Sequence, residues 1–160
     1  MANKKFSSKI VQRWDVNFAT TPVTSGAAIT LPGALPVNCL ITDGWAVITS
    51  TEIRDKDDGD NTTLSIGYTG TAAGFYPATS IASMNLGTYL KLIPGVLNIV
   101  NGQAITTVDI PAEIVAIARA SADTHSGIVN ATETHVILTA SADQDIDEGT
   151  MSIFIEYLKY

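Results

Sequence analysis

Apolar and polar residues alternate with a period of two along most of this chain. Ile10, Trp14, Val16 and Phe18 fall on one parity, and Arg13, Asp15 and Asn17 on the other. That is the pattern of a strand with one buried face. Val37, Cys39 and Ile41 alternate next, then Thr42-Asp43-Gly44 interrupts, and Trp45 and Val47 follow. A glycine inside such a run predicts a bulge or bend. Parity assigns both Trp14 and Trp45 to the core. Leu64, Ile66 and Tyr68 form a further strand, as do Val136 and Leu138 within a β-branched run. At the C-terminal end Met151, Ile153, Ile155 and Tyr157 alternate with Ser152, Phe154 and Glu156. This last strand is apolar on both faces at Phe154 and Leu158, so its outer face is expected to be covered by a partner or another strand.

Turn signals separate these runs. Pro32-Gly33 and Pro36 precede the second long strand. Asp57-Asp58-Gly59-Asp60-Asn61 reads as a hairpin loop, and Asn101-Gly102 is the strongest two-residue hairpin signal. Pro94-Gly95 and Asp147-Glu148-Gly149 mark further turns. Pro77 to Leu86 has room for one short helical turn. Asp109 to Ala122 fits a helix start at Asp109, Pro111 and Glu113, and also a buried strand; the β character of its neighbours favours the strand. Ile117 to Asp123 echoes Ile137 to Asp143, which predicts two strands leading into similar turns. Short strands spaced by turns of this kind predict an all-β fold: a single-domain antiparallel β-sandwich with at most one short helix.

Composition narrows the picture further. The 160 residues fit one domain, and a chain this long buries roughly 70% of the surface it exposes unfolded. With 46% hydrophobic residues and 16% charged ones, it does not read as intrinsically disordered. One cysteine forms no internal disulfide, and no apolar run reaches the roughly 18 residues of a membrane helix. The net charge is −7, but Lys4, Lys5, Lys9 and Arg13 stand in the first thirteen residues with no acid among them. Residues 1 to about 13 are therefore read as a basic N-terminal arm on an acidic body. The body is expected to bind neither nucleic acid nor anionic membranes. Lys4 and Lys5 lead into Phe-Ser-Ser-Lys rather than an apolar segment, so no signal peptide is expected.

Few residues gather into recognisable chemistry. Asp55, Asp57, Asp58 and Asp60 are the weak metal candidates, since clustered loop carboxylates are the ligands calcium takes. Their spacing does not match an EF-hand: Asp60 stands where the loop needs glycine and Ile66 where it needs glutamate. A solvated turn is the simpler reading, and no cofactor is expected. Asp143, Asp145, Asp147 and Glu148 form a second acidic loop. His125 and His135 lack the neighbours of a zinc site. Cys39 in an apolar run reads as a small hydrophobe. No G-x-S-x-G, Walker A or G-x-G-x-x-G motif occurs. Phe75 and Tyr76, adjacent in Gly74-Phe75-Tyr76-Pro77, are read as loop aromatics and candidate interface residues, together with Phe154 and Leu158. A loop folded back on the core is the alternative for the first pair.

Four stretches carry a family resemblance. Leu31-Pro-Gly-Ala-Leu-Pro-Val-Asn-Cys-Leu-Ile-Thr-Asp43 leads from prolines into a strand ending in Asp. Trp45-Ala-Val-Ile-Thr49, an Asp-rich gap and Thr63-Leu-Ser-Ile-Gly67 follow, and Gly149-Thr-Met-Ser-Ile-Phe-Ile-Glu-Tyr157 closes the chain. This order resembles the capsid decoration (cement) proteins of tailed bacteriophages and related β-sandwich virion proteins. The resemblance implies a jelly-roll-like fold, a homotrimer on the capsid surface, the major capsid protein as partner, and synthesis in the host cytoplasm. Lys4, Lys5, Lys9 and Arg13 would then be a capsid-contact arm, and no enzymatic activity is expected. The competing expectation is a head-fibre or tail module that binds a receptor or carbohydrate. An enzyme on a sandwich ranks last, because two histidines do not supply a three-histidine cupin site.

Overall fold

A computed structural model describes residues 9–36, 39–57, 61–92, 128–130 and 133–159. Eleven strands are formed among these residues: β1 (Ile10–Asn17), β2 (Ala28–Thr30), β3 (Cys39–Ile48), β4 (Arg54–Asp55), β5 (Thr63–Tyr68), β6 (Thr71–Ser80), β7 (Tyr89–Lys91), β8 (Ile128–Asn130), β9 (Val136–Ala140), β10 (Ile146–Glu148) and β11 (Thr150–Lys159). One short 3-10 turn, Ile81–Ser83, falls inside the stretch where a helical turn is expected, with the Ser80 hydroxyl accepting from the Ala82 N–H. All strand pairings are antiparallel.

The pairing is that of a jelly roll. The first sheet runs β1-β11-β3-β7, with β8 pairing β3 beside β7, and the second runs β2-β9-β5-β6. The first long strand thus lies against the last, and the second against one near the end. Each connection carries the chain from one sheet to the other, except the β5–β6 hairpin and the passage from β7 to β8. Two antiparallel sheets wrapped in this order make the double-sheet sandwich. A third, two-stranded ribbon of β4 and β10 lies at its margin.

Alternation fills the space between the sheets. Trp14 and Val16 of β1, Met151, Ile153 and Ile155 of β11, and Ala46 and Ile48 of β3 face Leu64 and Ile66 of β5 and Val136 and Leu138 of β9 in one core cluster. The Trp14 indole N–H, buried with its ring, donates to the Pro32 carbonyl at 2.8 Å. The proline-rich lead-in to β3 thereby satisfies a polar atom that burial would otherwise penalise. Gly149, between β10 and β11, has φ +104°, and a Cβ there would lie 2.5 Å from the Glu52 carbonyl oxygen. Only glycine makes that turn without strain.

Trp45 is not a core residue. Asp43 pairs with Glu156 and Ile41 with Tyr157, so Thr42 is an extra residue in β3. The predicted bulge is present, but it changes the parity. Before it the inward residues are Cys39 and Ile41; after it they are Gly44, Ala46 and Ile48. A one-residue shift moves every later side chain to the other face, and Trp45 and Val47 turn outward.

Three other expectations are corrected. Phe75 and Tyr76 lie in β6, not in a loop: Phe75 is buried with its ring 5.3 Å from that of Tyr68, and Tyr76 packs half-buried against the core. The acidic stretch after Asp55 does not close a hairpin, because β4 pairs with β10 while β5 pairs with β6 and β9. Residues 10–13, counted with the basic arm, are strand in β1 and pair with Phe154 to Tyr157. Lys4, Lys5, Asp58, Asp60, Asn101-Gly102, Asp109 to Ala122 and His125 lie outside the described residues.

Candidate interaction face

Strand pairing places a row of four side chains across the outer face of the first sheet. Arg13 of β1 stands opposite Phe154 of β11, Phe154 opposite Trp45 of β3, and Trp45 opposite Lys91 of β7. The rings of Trp45 and Phe154 are stacked, 5.3 Å between centroids and 13° from parallel. The Arg13 guanidinium covers the other side of the Phe154 ring at 5.5 Å. Both faces of the phenyl ring are therefore occupied. Stacked rings on adjacent strands stand upright on the sheet and turn their edges, the positive rim of the quadrupole, toward solvent.

Charged pairs flank this row. In the register on one side Val11, Glu156 and Asp43 stand in line, and on the other Asp15, Ser152, Val47 and Tyr89. Arg13 bonds Asp15 at 2.7 Å, Lys9 bonds Glu156 at 2.9 Å, and Lys91 bonds Asp43. Each acid has a second support. The Ser152 hydroxyl donates to Asp15 at 2.6 Å, the Thr42 hydroxyl to Glu156 at 2.7 Å, and the Gly44 N–H to Asp43 at 2.6 Å. The bulged residue Thr42 thus holds the carboxylate beside it.

These contacts lower all three carboxyl pKa values. The Ser152 hydroxyl, then Arg13, holds Asp15 below its ordinary value. Lys9, then Thr42, does the same for Glu156. Burial pushes Asp43 upward, but Lys91 and the Gly44 N–H together outweigh it and the net direction is down. All three carboxylates are therefore ionised, and the face carries three cations against three anions. Two cations are the outer partners: Lys9 is 65% exposed against 18% for Glu156, and Lys91 53% against 40% for Asp43. Val11 and Tyr89 are among the exposed large hydrophobic residues at the rim.

Of the candidate interface residues, Phe154 and Leu158 share this outer face, half-buried, whereas Phe75 and Tyr76 belong to the second sheet. Lys9 and Arg13 reach the same face from β1. The sequence reading missed Trp45, Lys91, Asp43 and Tyr89 here. The only signal for them was the Thr42-Asp43-Gly44 interruption, whose effect on parity depends on which residue is bulged.

The two metal candidates that are described differ in setting. Asp55 is a buried strand residue whose carboxylate accepts from the Thr62 hydroxyl at 2.7 Å, while Asp57 is an exposed turn residue. Among the described residues no three His, Cys, Asp or Glu side chains are grouped to hold a metal ion. The β4–β10 pairing does bring the two acidic loops side by side: Ile146 pairs with Asp55, and the Lys56 N–H donates to the Asp145 carbonyl at 2.9 Å. Cys39 is fully buried.

No family model matches the chain, and no curated protein matches it. Among solved structures it is similar to a chain of the cyanophage Pam1 capsid asymmetric unit, with a TM-score of 0.60 and 15% sequence identity. The likeness spans 100% of this chain and 91% of that one, so the two have closely similar lengths as well as one fold.

Proposed function

We propose that this chain is a structural protein of a tailed-phage virion, without enzymatic activity, that binds the outside of the capsid and cements neighbouring major capsid subunits. The observation that supports this reading is the jelly-roll likeness, over the full length, to a chain of a capsid asymmetric unit. Fold alone does not assign function, but two features of the face agree with it. Phe154 and Leu158 stand with Trp45, half-buried, on the outer face of the first sheet, where a subunit contact would cover them. The basic residues Lys4 and Lys5 precede β1 at the edge of the same sheet. In this reading the chain is a homotrimer, Lys4, Lys5 and Lys9 reach toward the shell, and its location is the virion surface.

The head-fibre or tail reading with a carbohydrate ligand has less support. Phe75 is in the core, and the ring faces of Phe154 that would stack on a sugar are taken by Trp45 and Arg13.

Co-sedimentation with capsids assembled from the major capsid protein alone tests the proposal. The full chain is expected to pellet with them and to raise their resistance to heat. A chain lacking residues 1–8 is expected to fold and to bind more weakly. The cut stops before Lys9 because β1 begins at Ile10. Absence of binding to such shells, with binding to a glycan array instead, would reverse the choice.

A further inference from the structure

The net charge of −7 is spread unevenly over this molecule. The outer face of the first sheet balances Lys9, Arg13 and Lys91 against Asp15, Asp43 and Glu156. The β4–β10 margin holds Asp57, Asp143, Asp145, Asp147 and Glu148 with Lys56, while Arg54 is engaged by Glu52 at 2.5 Å. Two identical acidic bodies repel at most approaches. An approach that sets the neutral face against the acidic margin avoids that repulsion, and it brings the margin onto Lys9 and Lys91, which are more exposed than their own acids.

From this complementarity we infer that the row Arg13–Phe154–Trp45–Lys91 is the seat for the acidic β4–β10 margin of a second copy of this chain. The inference rests on the homo-oligomer proposed above and names the two surfaces that meet. The chemistry of the row selects such a partner. Both faces of its Phe154 ring are occupied, its ring edges are electropositive, and Lys9 and Lys91 lie outside their own acids. Carboxylates and backbone carbonyls complement that surface; another set of cations does not. Tyr89 and Val11 at the rim supply apolar area around the charged centre, as interfaces with strong anchors do.

The two surfaces are different patches of one molecule, so the contact repeats head to tail wherever the copies are not related by a two-fold axis. Heterologous contacts repeat from copy to copy and close into a ring or run on as a filament. Closure at three copies gives the trimer of the proposed function. A two-fold dimer that joins face to face does not satisfy it, because the acidic margin then takes no part in the contact.

Light scattering on the full chain without capsids tests the inference separately from shell binding. Wild type is expected to be an oligomer whose association weakens between low and high salt. R13E/K91E is expected to raise the half-association concentration about a hundredfold, and D57K/D143K to do the same. All four substitutions in one chain, which exchange the charges of face and margin, are expected to restore association. Circular dichroism and the melting midpoint establish that each variant is folded. A wild-type monomer at high concentration and low salt overturns the inference, and so does R13E/K91E with wild-type mass. Failure of the four-fold variant to reassociate shows that the face meets some other surface, and overturns the named occupant. Capsid co-sedimentation reads the proposed function alone. A chain that trimerises as described but ignores shells loses that reading and keeps this one.

Discussion

The two sheets of this sandwich present opposite kinds of outer face. On the second sheet the chain covers itself. Ser65 and Gly67 point away from the core, yet both are buried, because the start of β6 folds over them. The Ser65 hydroxyl donates to the Ala72 carbonyl at 3.1 Å, and a Cβ on Gly67 would lie 2.0 Å from the Thr71 carbonyl oxygen. Irregular registers between β5 and β6 allow that fold-over. On the first sheet no described strand lies over Trp45, Phe154 and their flanking ion pairs. One face is finished by small residues and backbone, and the other is left with large aromatics and paired charges. In the reading proposed above, the large side chains of the open face serve contact between copies, and the covered face serves stability.

Mutations should divide along that line, and the greatest effect belongs inside. Ile153→Ala, on the inner side of β11, is expected to cost about 3 kcal/mol by removing buried methylenes and leaving a cavity. Chemical denaturation measures it. Gly67→Ala tests the covered face and is expected to cost about 2 kcal/mol, because backbone atoms of β6 must move. If Gly67→Ala is neutral, β6 does not close over β5 and the contrast between the sheets disappears.

Smaller effects are expected on the open face. Phe154→Ala, one residue from Ile153, removes an aromatic pair worth about 1 kcal/mol beyond its area. Its main consequence should be weaker association, read by light scattering, with a denaturation midpoint lowered clearly less than by Ile153→Ala. A destabilisation as large as that of Ile153→Ala would mean that Phe154 is core after all.

The smallest effect concerns pH. Asp15, Asp43 and Glu156 have folded-state pKa values below the ordinary 3.8 and 4.5. A depressed carboxyl contributes stability that is complete above its unfolded pKa and is lost as pH falls through the folded one. The melting midpoint should therefore hold from neutral pH to about 5 and decline below about 4. The triple variant D15N/D43N/E156Q should decline less steeply. The difference is small because solvent screens the ion pairs of Asp15 and Asp43, which are 62% and 40% exposed.

The outer face of the first sheet also shows how far pattern reading carries. Period two identified β1 and β11 and oriented both correctly, since neither is bulged within its alternating run. It failed at Trp45, where an extra residue exchanged inside for outside. It failed again at Phe75-Tyr76-Pro77, where glycine and proline mimic a loop but Phe75 packs on Tyr68 in an edge strand. Proline is tolerated there because an edge strand has one unpaired side.

What the sequence determined by itself is the class of structure: alternation and turn chemistry are local, so they specify strands, the turns between them and an all-β sandwich. The partnering of β1 with β11, the meeting of the two acidic loops through β4 and β10, and the assembly of Arg13, Phe154, Trp45 and Lys91 into one row were decided by tertiary structure. Those contacts join residues up to about 140 positions apart, such as Arg13 and Ser152. They depend on which strands pair and in what register, which the packing of the shared core selects and no local pattern encodes.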